Sequence, residues 1–235
     1  MGLGWASTRP KSAGGQLVAA GKMRRVTSPG FWYALPVLTG RLIRLEPLAI
    51  EHAPGYLAAA GVGADAAEVF RWLRPPAGVV VAPVTIADAE QHIIDALALR
   101  ARGFRFAYAQ IDAVTGEVAG STSYYDVDPA ARAISIGHTW LGKRWWRTGH
   151  NTESKLLMLT HAFDTLGAAR VVWHTDIYNT RSQAAIERLG ATKEGVLRKH
   201  RIRADGSWRD TVQYAMTDDD WPAVRDRLTA RLAAG

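Results

Sequence analysis

The chain has 235 residues, of which 48% are hydrophobic and 22% charged, enough for one well-filled domain plus an extension. It contains no cysteine, which excludes disulfides, thiol catalysis and zinc-thiolate sites, and we expect no bound metal. No apolar run approaches the roughly 18 residues of a membrane span, so we expect a cytoplasmic protein without a membrane partner.

The formal net charge of +7 would suit RNA, an acidic protein or the phosphates of a cofactor. Arginine and lysine are scattered, however, and the densest basic run, at residues 198–203, alternates like a β-strand with one solvated face. We therefore do not expect nucleic acid as a partner.

Residues 1–36 are rich in Gly, Ser, Pro and Ala and lack periodicity, which predicts a flexible N-terminal extension before a domain at 37–235. Met23 within this extension would serve as an alternative start. The aromatic triplet Phe31, Trp32 and Tyr33 is expected to pack on the domain as a hydrophobic clip, although contact with a partner molecule stays open.

The first half of the domain mixes strand and helix signals in a regular order. In chain order these are a strand at 38–45, helices at 50–60 and 65–73, a break at 74–76, a helix at 85–102, and strands at 104–111, 117–125 and 131–141. The longer helix has the clearest start, because Thr85 and Asp88 form a capping-box pattern.

The second half predicts strand, turn, helix, strand and helix, an order that suits a phosphate-bearing ligand. Asn151 and Thr152 stand where a helix cap belongs, and Gly167 is a natural C-terminal stop. Before that helix, Thr148 and Gly149 form a turn whose backbone N–H groups would face an anion, with the helix dipole behind them. No Lys-Ser or Lys-Thr pair follows, which excludes a Walker loop.

The remaining elements are a hairpin of residues 192–203 and 207–216 around Asp205-Gly206, and a closing helix at 218–232. Strands and helices mixed in this way, with one crossover after the phosphate turn, predict an α/β or mixed α+β fold.

Two segments, RWWRTGHNTESK from Arg144 and NTRSQAAIERLGATKEGVLR from Asn179, resemble the GNAT acetyltransferases of the RimJ/RimL-like ribosomal-protein N-acetyltransferase type. The resemblance runs from about residue 39 to about residue 217. It implies a central mixed, mostly antiparallel sheet flanked by helices, acetyl-CoA as cosubstrate, and a primary amine as acceptor, either a protein N-terminal α-amino group or a small molecule. Arg147 stands where the family's phosphate turn usually has its first glycine, so its side chain is expected to take part.

By this resemblance, coenzyme A lies along the phosphate turn and the start of the helix after the next strand. The cofactor-binding residues that it implies are Leu141, Arg144, Arg147, Thr148, Gly149, His150, Asn151, Thr152, Asn179 and Ser182.

Attack by an amine on a thioester needs one group that takes a proton from the amine and another that gives one to the leaving thiolate. The resemblance assigns the donor role to Ser182. The spacing alone fits equally well a helix that Asn179 caps, with Ser182 as an ordinary residue of its first turn.

The proton acceptor is less defined, because residues 135–137 read Ser-Ile-Gly where many relatives carry a carboxylate. His138 follows, alternates with Ile136 on one strand face, and titrates near neutral pH, which makes it the first candidate. Asp126, His174 and ordered water are the alternatives.

The acceptor pocket is expected from the segments left over once the cofactor is placed, namely residues 60–76, the region of Tyr124 and Asp126, and the hairpin turn. A cationic amine would be attracted there by local acids rather than by the basic chain as a whole. These acids are Asp65, Glu68, Asp126 and Asp128. A non-catalytic acyl-CoA-binding or interaction module and a basic RNA-associated protein are the competing functions, and a homodimer stays open.

Overall fold

The computed structural model of the chain describes residues 29–73, 81–203 and 205–234. Its centre is one eight-stranded sheet of order β1-β2-β3-β4-β5-β6-β8-β7. The strands are β1 Leu38–Thr39, β2 Ile43–Pro47, β3 Arg105–Asp112, β4 Val118–Asp128, β5 Ala133–Leu141, β6 Arg170–Asp176, β7 Thr192–Ile202 and β8 Trp208–Thr217. Every neighbouring pair is antiparallel except β5 and β6, which confirms the predicted mixed, mostly antiparallel sheet.

Helices cover both faces of this sheet. They are α1 Pro29–Trp32, α2 Ala53–Ala60, α3 Gly63–Phe70, α4 Ile86–Ala101, α5 His150–Thr160, α6 Thr180–Leu189 and α7 Trp221–Ala234, with a π-helical turn His161–Thr165 after α5. The predicted cap of α4 is confirmed, since Thr85 Oγ1 accepts from the Asp88 N–H and the Asp88 carboxylate accepts from the Thr85 N–H. None of the helices in the described ranges is long and apolar enough to cross a membrane.

The two faces of β4 carry different neighbours. Tyr124 donates from its hydroxyl to the Met158 carbonyl of α5 at 2.6 Å, so this side chain faces α5. On the other face, Trp140 of β5 packs edge-on against Tyr56 of α2, with ring centroids 4.7 Å apart. The face of α2 and α4 is therefore distinct from the face of α5, and the distinction decides where each candidate residue lies.

The single strand predicted at residues 38–45 is wrong, because a turn at Gly40–Leu42 divides it into β1 and β2. The buried Glu153 carboxylate in the first turn of α5 accepts from the N–H groups of Arg41 (3.0 Å), Leu42 (2.6 Å) and Ile43 (2.8 Å). Three charge-assisted hydrogen bonds hold the turn in place. Their acceptor lies more than a hundred residues further along the chain.

The predicted caps Asn151 and Thr152 are also wrong, since α5 begins at His150 with Gly149 as its N-cap residue. A Cβ at Gly149 would lie 2.5 Å from Leu42 Cδ1, so any other residue here would have to displace the Leu42 side chain of the β1–β2 turn. The predicted stop at Gly167 is confirmed by its left-handed φ of 73°.

The aromatic triplet behaves as a clip. Trp32 is 4% exposed and belongs to the hydrophobic core, and the Tyr33 ring lies 5.6 Å from that of Phe106. Residues 1–28, with Met23, and the predicted break at 74–76 lie outside the described residues.

Candidate active site

A gap opens in the middle of the sheet between the two parallel strands. β5 and β6 pair only at Ala133–Arg170, Ile134–Val171 and Ser135–Val172, although β5 continues to Leu141 and β6 to Asp176. Each strand keeps its other neighbour, β4 or β8, over the same stretch. Backbone donors and acceptors of both strands therefore line the gap and are available to an extended, amide-bearing ligand.

Two irregularities of β4 and β5 flank this gap. The register shifts near Ser121–Ser123 and again after Tyr125, and at these bulges His138 (φ 50°) and Asp126 (φ 46°) adopt left-handed backbone conformations. Residues other than glycine rarely do so, and such strain often accompanies functional sites.

The bulge overturns one prediction. Ile136 pairs with Tyr124, whose hydroxyl contacts α5, whereas the His138 ring lies edge-on to Tyr125 at 5.4 Å, on the opposite face. Simple alternation of Ile136 and His138 is therefore wrong, because the bulge turns His138 toward α2 and α4. There it lines a cleft together with Tyr56 and Trp140.

A hydrogen-bonded chain crosses the same face from β4 through β6 and β8 to β7. The Tyr125 hydroxyl lies 3.0 Å from His174 Nδ1, His174 Nε2 lies 3.0 Å from Gln213 Oε1, and Gln213 Nε2 donates to Glu194 at 3.0 Å. Gly137 makes the crossing possible, because a Cβ there would lie 2.7 Å from the Tyr125 ring.

This chain determines which nitrogen of His174 carries the proton. Hydrogen bonding from Arg170 lowers the pKa of Glu194, so its carboxylate only accepts and Gln213 must turn its amide nitrogen toward it. Gln213 Oε1 then accepts from His174 Nε2–H, and His174 Nδ1 carries the lone pair that accepts from the Tyr125 hydroxyl.

Burial and nearby arginines set the protonation of these groups. Desolvation raises the pKa of Tyr125 to about 12, and it lowers the pKa of His174, with Arg201 and Arg209 acting in the same direction on His174. Desolvation, Arg105 and those two arginines also lower the pKa of His138, which has an exposed side chain beside the cleft. Both imidazoles are therefore neutral at neutral pH, the form whose nitrogen lone pair can accept a proton during the reaction.

The predicted phosphate turn lies at the far end of β5. Gly149 offers no side-chain cap and the His150 N–H donates to Thr148 Oγ1 at 3.4 Å, so in the described part of the chain the N–H groups of Asn151 and Thr152 remain available to an anion. Arg147 has a φ of 61°, so it adopts the left-handed conformation that the family's glycine would supply. The turn geometry is thus kept without the glycine, at a cost of about 1 kcal/mol.

Lys143, Arg144 and the His150 ring, all beside this turn, already have partners. Lys143 pairs with Asp65 and Glu68, and Arg144 donates to Glu117 at 2.7 Å. The His150 ring lies between Asp112 (3.2 Å) and Thr148 (2.9 Å) and is mostly buried. The backbone of the turn is therefore better placed than these side chains to contact an anion.

The predicted residues after β6 lie beside the turn. Asn179 Oδ1 accepts from the Ser182 N–H at 3.1 Å, which confirms the capping interpretation, and Ser182 is partly exposed. Between them, Arg181 places its guanidinium 4.0 Å from the Trp146 ring, and Trp146 Nε1 donates to the Leu141 carbonyl. The structure thus brings the cofactor candidates from both strand ends together, while Asp126 lies at the bulge beyond Tyr125.

Sequence reasoning missed Lys155, which lies fully buried beneath β4 and β5. Its Nζ donates to Thr122 Oγ1 and Thr139 Oγ1 at 2.8 Å each, and desolvation lowers its pKa to about 7. The signal was present, because Lys155 falls four residues before Leu159 on the apolar stripe of its helix.

Comparison with known proteins places this geometry among acetyltransferases. Residues 42–192 match the family described as acetyltransferase (GNAT) domain. The chain is 27% identical over 125 residues to the [ribosomal protein uS5]-alanine N-acetyltransferase of Escherichia coli strain K12, covering 53% of this chain and 63% of that enzyme's length.

Solved structures extend the comparison to most of the chain. A GCN5-related N-acetyltransferase from Brucella melitensis is 33% identical with a TM-score of 0.76, covering 83% of this chain and 84% of that one. RimJ of Mycobacterium smegmatis, solved in complex with CoA-disulfide, shares the fold at 23% identity and a TM-score of 0.68, covering 84% and 92%.

Proposed function

Since the chain belongs to the GNAT acetyltransferase family, we propose that it transfers an acetyl group from acetyl-CoA to the α-amino group of a protein N-terminus. The observation that carries the proposal is the gap between β5 and β6, which leads from the uncapped start of α5 to the Tyr125–His174 pair. One ligand can therefore contact an anion site at one end and a proton acceptor at the other.

The residues present fit coenzyme A. The first-turn N–H groups of Asn151 and Thr152, next to His150, would hold the pyrophosphate, and backbone groups along the gap would pair with the pantetheine amides. Arg144, Arg147 and Thr148 would flank the phosphates, while Gly149 allows α5 to approach the β1–β2 turn.

Proton transfer falls to groups on either side of the gap. His174 Nδ1 takes the amine proton through the Tyr125 hydroxyl, since the tautomer fixed by Gln213 leaves that nitrogen free to accept. Ser182, at the start of α6, gives a proton to the leaving thiolate. His138 and Asp126, at the two bulges, line the path of the amine.

A protein N-terminus is favoured as the acceptor by the resemblance to an alanine N-acetyltransferase of a ribosomal protein. Ribosomal proteins are made and assembled in the cytoplasm, where the proposal places this activity. Small amines and lysine side chains are the alternative acceptors that the same cofactor site would serve.

The test is a panel of peptides with free N-termini, matched peptides with a blocked N-terminus and an internal lysine, and small amines, incubated with acetyl-CoA and read by mass spectrometry. We expect acetylation of free N-termini alone. Coenzyme A binding by calorimetry without turnover on any amine would instead support a non-catalytic acyl-CoA-binding module.

A further inference from the structure

We call the sheet face that carries Tyr125, His138 and His174 the acceptor face. In the described part of the chain, three arginines on this face have no carboxylate hydrogen-bonded to them. They come from three strands, Arg105 of β3, Arg201 of β7 and Arg209 of β8. Arg105 lines the cleft with His138, its Nε donates to the neutral Ser123 hydroxyl at 2.9 Å, and desolvation lowers its pKa. A guanidinium removed from water without a counter-ion is unfavourable.

Arg209 also lies partly removed from water without a carboxylate within hydrogen-bond distance. Its buried Nε has no hydrogen-bond partner, and the nearest carboxylate oxygen, Asp176 Oδ2, is 3.8 Å away. Asp176 is already held by Arg203, which donates to its two oxygens at 2.7 and 3.0 Å. Desolvation accordingly lowers the pKa of Arg209.

Arg201 adds a second unfavourable contact. It is the register partner of Arg209 across the β7–β8 pair, and like charges directly opposite each other destabilise a sheet. An anion between the two guanidinium groups would convert this repulsion into two charge-assisted contacts.

The charges of all three arginines reach the proposed reaction centre. Each lowers the pKa of His138, and Arg201 and Arg209 also lower that of His174. Two acids oppose them. Asp126 raises the pKa of Tyr125 and His174 by its charge, and Asp95 lies in the cleft wall with one oxygen accepting from Gln91.

Three of the four acids expected to attract a cationic amine already have partners. Asp65 and Glu68 pair with Lys143 near the phosphate turn, and an Asp128 oxygen accepts from the Ala131 N–H. Asp126 alone of the four has no hydrogen bond or ion pair within the described ranges. The acceptor face is therefore more basic than the sequence indicates.

We propose that the acceptor is a polypeptide with an acidic N-terminal segment, whose carboxylates bind Arg105, Arg201 and Arg209 while its α-amino group reaches Tyr125. This deepens the proposed function and rests on it. The same positive field disfavours the ammonium form of the bound amine and so increases the fraction that is nucleophilic.

The edge strand β7 favours a polypeptide over RNA as the source of these anions. β7 ends the sheet, its other edge has no strand partner among the described residues, and nearly all its side chains are exposed. An extended peptide can add to such an edge through main-chain hydrogen bonds while Arg201 and its basic neighbours contact acidic side chains. A nucleic acid has no equivalent of this pairing.

The experiment compares three peptides that share one N-terminal residue and continue with Asp-Glu, Asn-Gln or Lys-Lys. We expect the acidic peptide to have a kcat/KM about tenfold or more above the neutral one, an advantage that shrinks as salt rises. Arg201→Gln and Arg209→Gln should each remove most of that advantage through KM for the peptide. Arg231→Gln, an equal charge change at the exposed end of α7, should leave it intact.

Equal kcat/KM for the three peptides, or variants that weaken the acidic and neutral peptides alike, would overturn the proposal. Fluorescence anisotropy of labelled peptides with coenzyme A present measures the same preference without turnover, so a selective binder that acetylates nothing would keep the anion site and reject the catalytic function. An RNA oligonucleotide that binds through Arg201 and Arg209 more tightly than the acidic peptide would also overturn it.

Discussion

The phosphate turn and the acceptor face both carry several cations, but they differ in which of these have an acid within hydrogen-bond distance. Lys143 and Arg144 at the turn are matched by acidic side chains, whereas Arg201 and Arg209 oppose each other across β7 and β8. Under the proposed function, the coenzyme A phosphates are bound mainly by backbone N–H groups, which many sequences can provide. Selectivity for the proposed acceptor then lies in arginine side chains whose charges are left available.

The largest loss of kcat is expected for the substitution His174→Gln on the acceptor face. Losing the proton acceptor should lower kcat by roughly 10²- to 10⁴-fold while KM for acetyl-CoA stays unchanged. Because the pKa of His174 is lowered, the imidazole stays unprotonated below the usual histidine range, so the wild-type acid limb should lie below about pH 6.5 and vanish in the variant.

The control is His52→Gln, whose ring contacts the Ala49 N–H and Glu46 far from the gap. It should leave kcat and its pH profile unchanged. An unaltered acid limb in His174→Gln would assign the proton to His138 or to water.

On the cofactor side, Ser182→Ala should lower kcat by about 10²-fold with nearly unchanged affinity for coenzyme A, because the hydroxyl acts only on the leaving thiolate. Thr180→Ala removes a neighbouring hydroxyl from the same turn of α6 and should have little effect. Stopped-flow turnover and calorimetry measure the two quantities. Equal losses in both variants would indicate a role in helix stability instead.

Local signals predicted the elements, and long-range contacts produced the exceptions. The Thr85–Asp88 cap and the Asp205-Gly206 hairpin depend on neighbours in sequence and were predicted correctly. The break at residues 40–42 depends on Glu153, and the left-handed His138 depends on a bulge against β4. The hydrophobic periodicity of the sequence cannot predict the break or the left-handed residue, because both depend on residues distant in sequence.

The residues of the candidate site also divide into those that local sequence can predict and those that depend on long-range contacts. Most of the proposed cofactor residues are contiguous at 141–152 and could be found as a motif, with Asn179 and Ser182 in a second one. The Tyr125 and His174 side chains meet only because β4, β5 and β6 are neighbours in space. Whether Arg105 or Arg209 has a carboxylate within hydrogen-bond distance depends on which carboxylates other residues have already taken.

Lys155 provides a test in the protein interior, because this buried amine is hydrogen-bonded to two hydroxyls and the Met158 sulfur and to no acid in the described ranges. Its pKa is about 7 in the folded chain and about 10.4 when unfolded, so between these values the unfolded chain binds the extra proton and the free energy of unfolding should rise with pH. The contribution is at most about 1.4 kcal/mol per pH unit.

Lys155→Met should remove that slope, whereas Lys193→Met on the exposed strand β7 should keep it. Urea unfolding between pH 7 and 9 measures it. Identical slopes in wild type and Lys155→Met would mean that the lysine stays charged when buried.

The smallest effect concerns Arg147, where the turn uses a strained backbone. Arg147→Gly should raise the free energy of unfolding by up to about 1 kcal/mol, because glycine adopts a φ of 61° without steric cost. If the guanidinium also contacts phosphate, coenzyme A affinity should fall several-fold, as calorimetry would show. An unchanged coenzyme A affinity would indicate that the Arg147 side chain does not contact phosphate and that the backbone of the turn binds it instead.

The contact between α5 and the β1–β2 turn has a consequence for how this sequence can diverge. Gly40 has no room for a Cβ because the Glu153 carboxylate lies against it, and Gly149 has none because of Leu42. Glu153 in turn is needed by the backbone of the turn that contains Leu42. The effects of substitutions at these four positions therefore depend on one another (Gly40, Leu42, Gly149 and Glu153). We expect a change at one of them to be harmful unless its partners change with it.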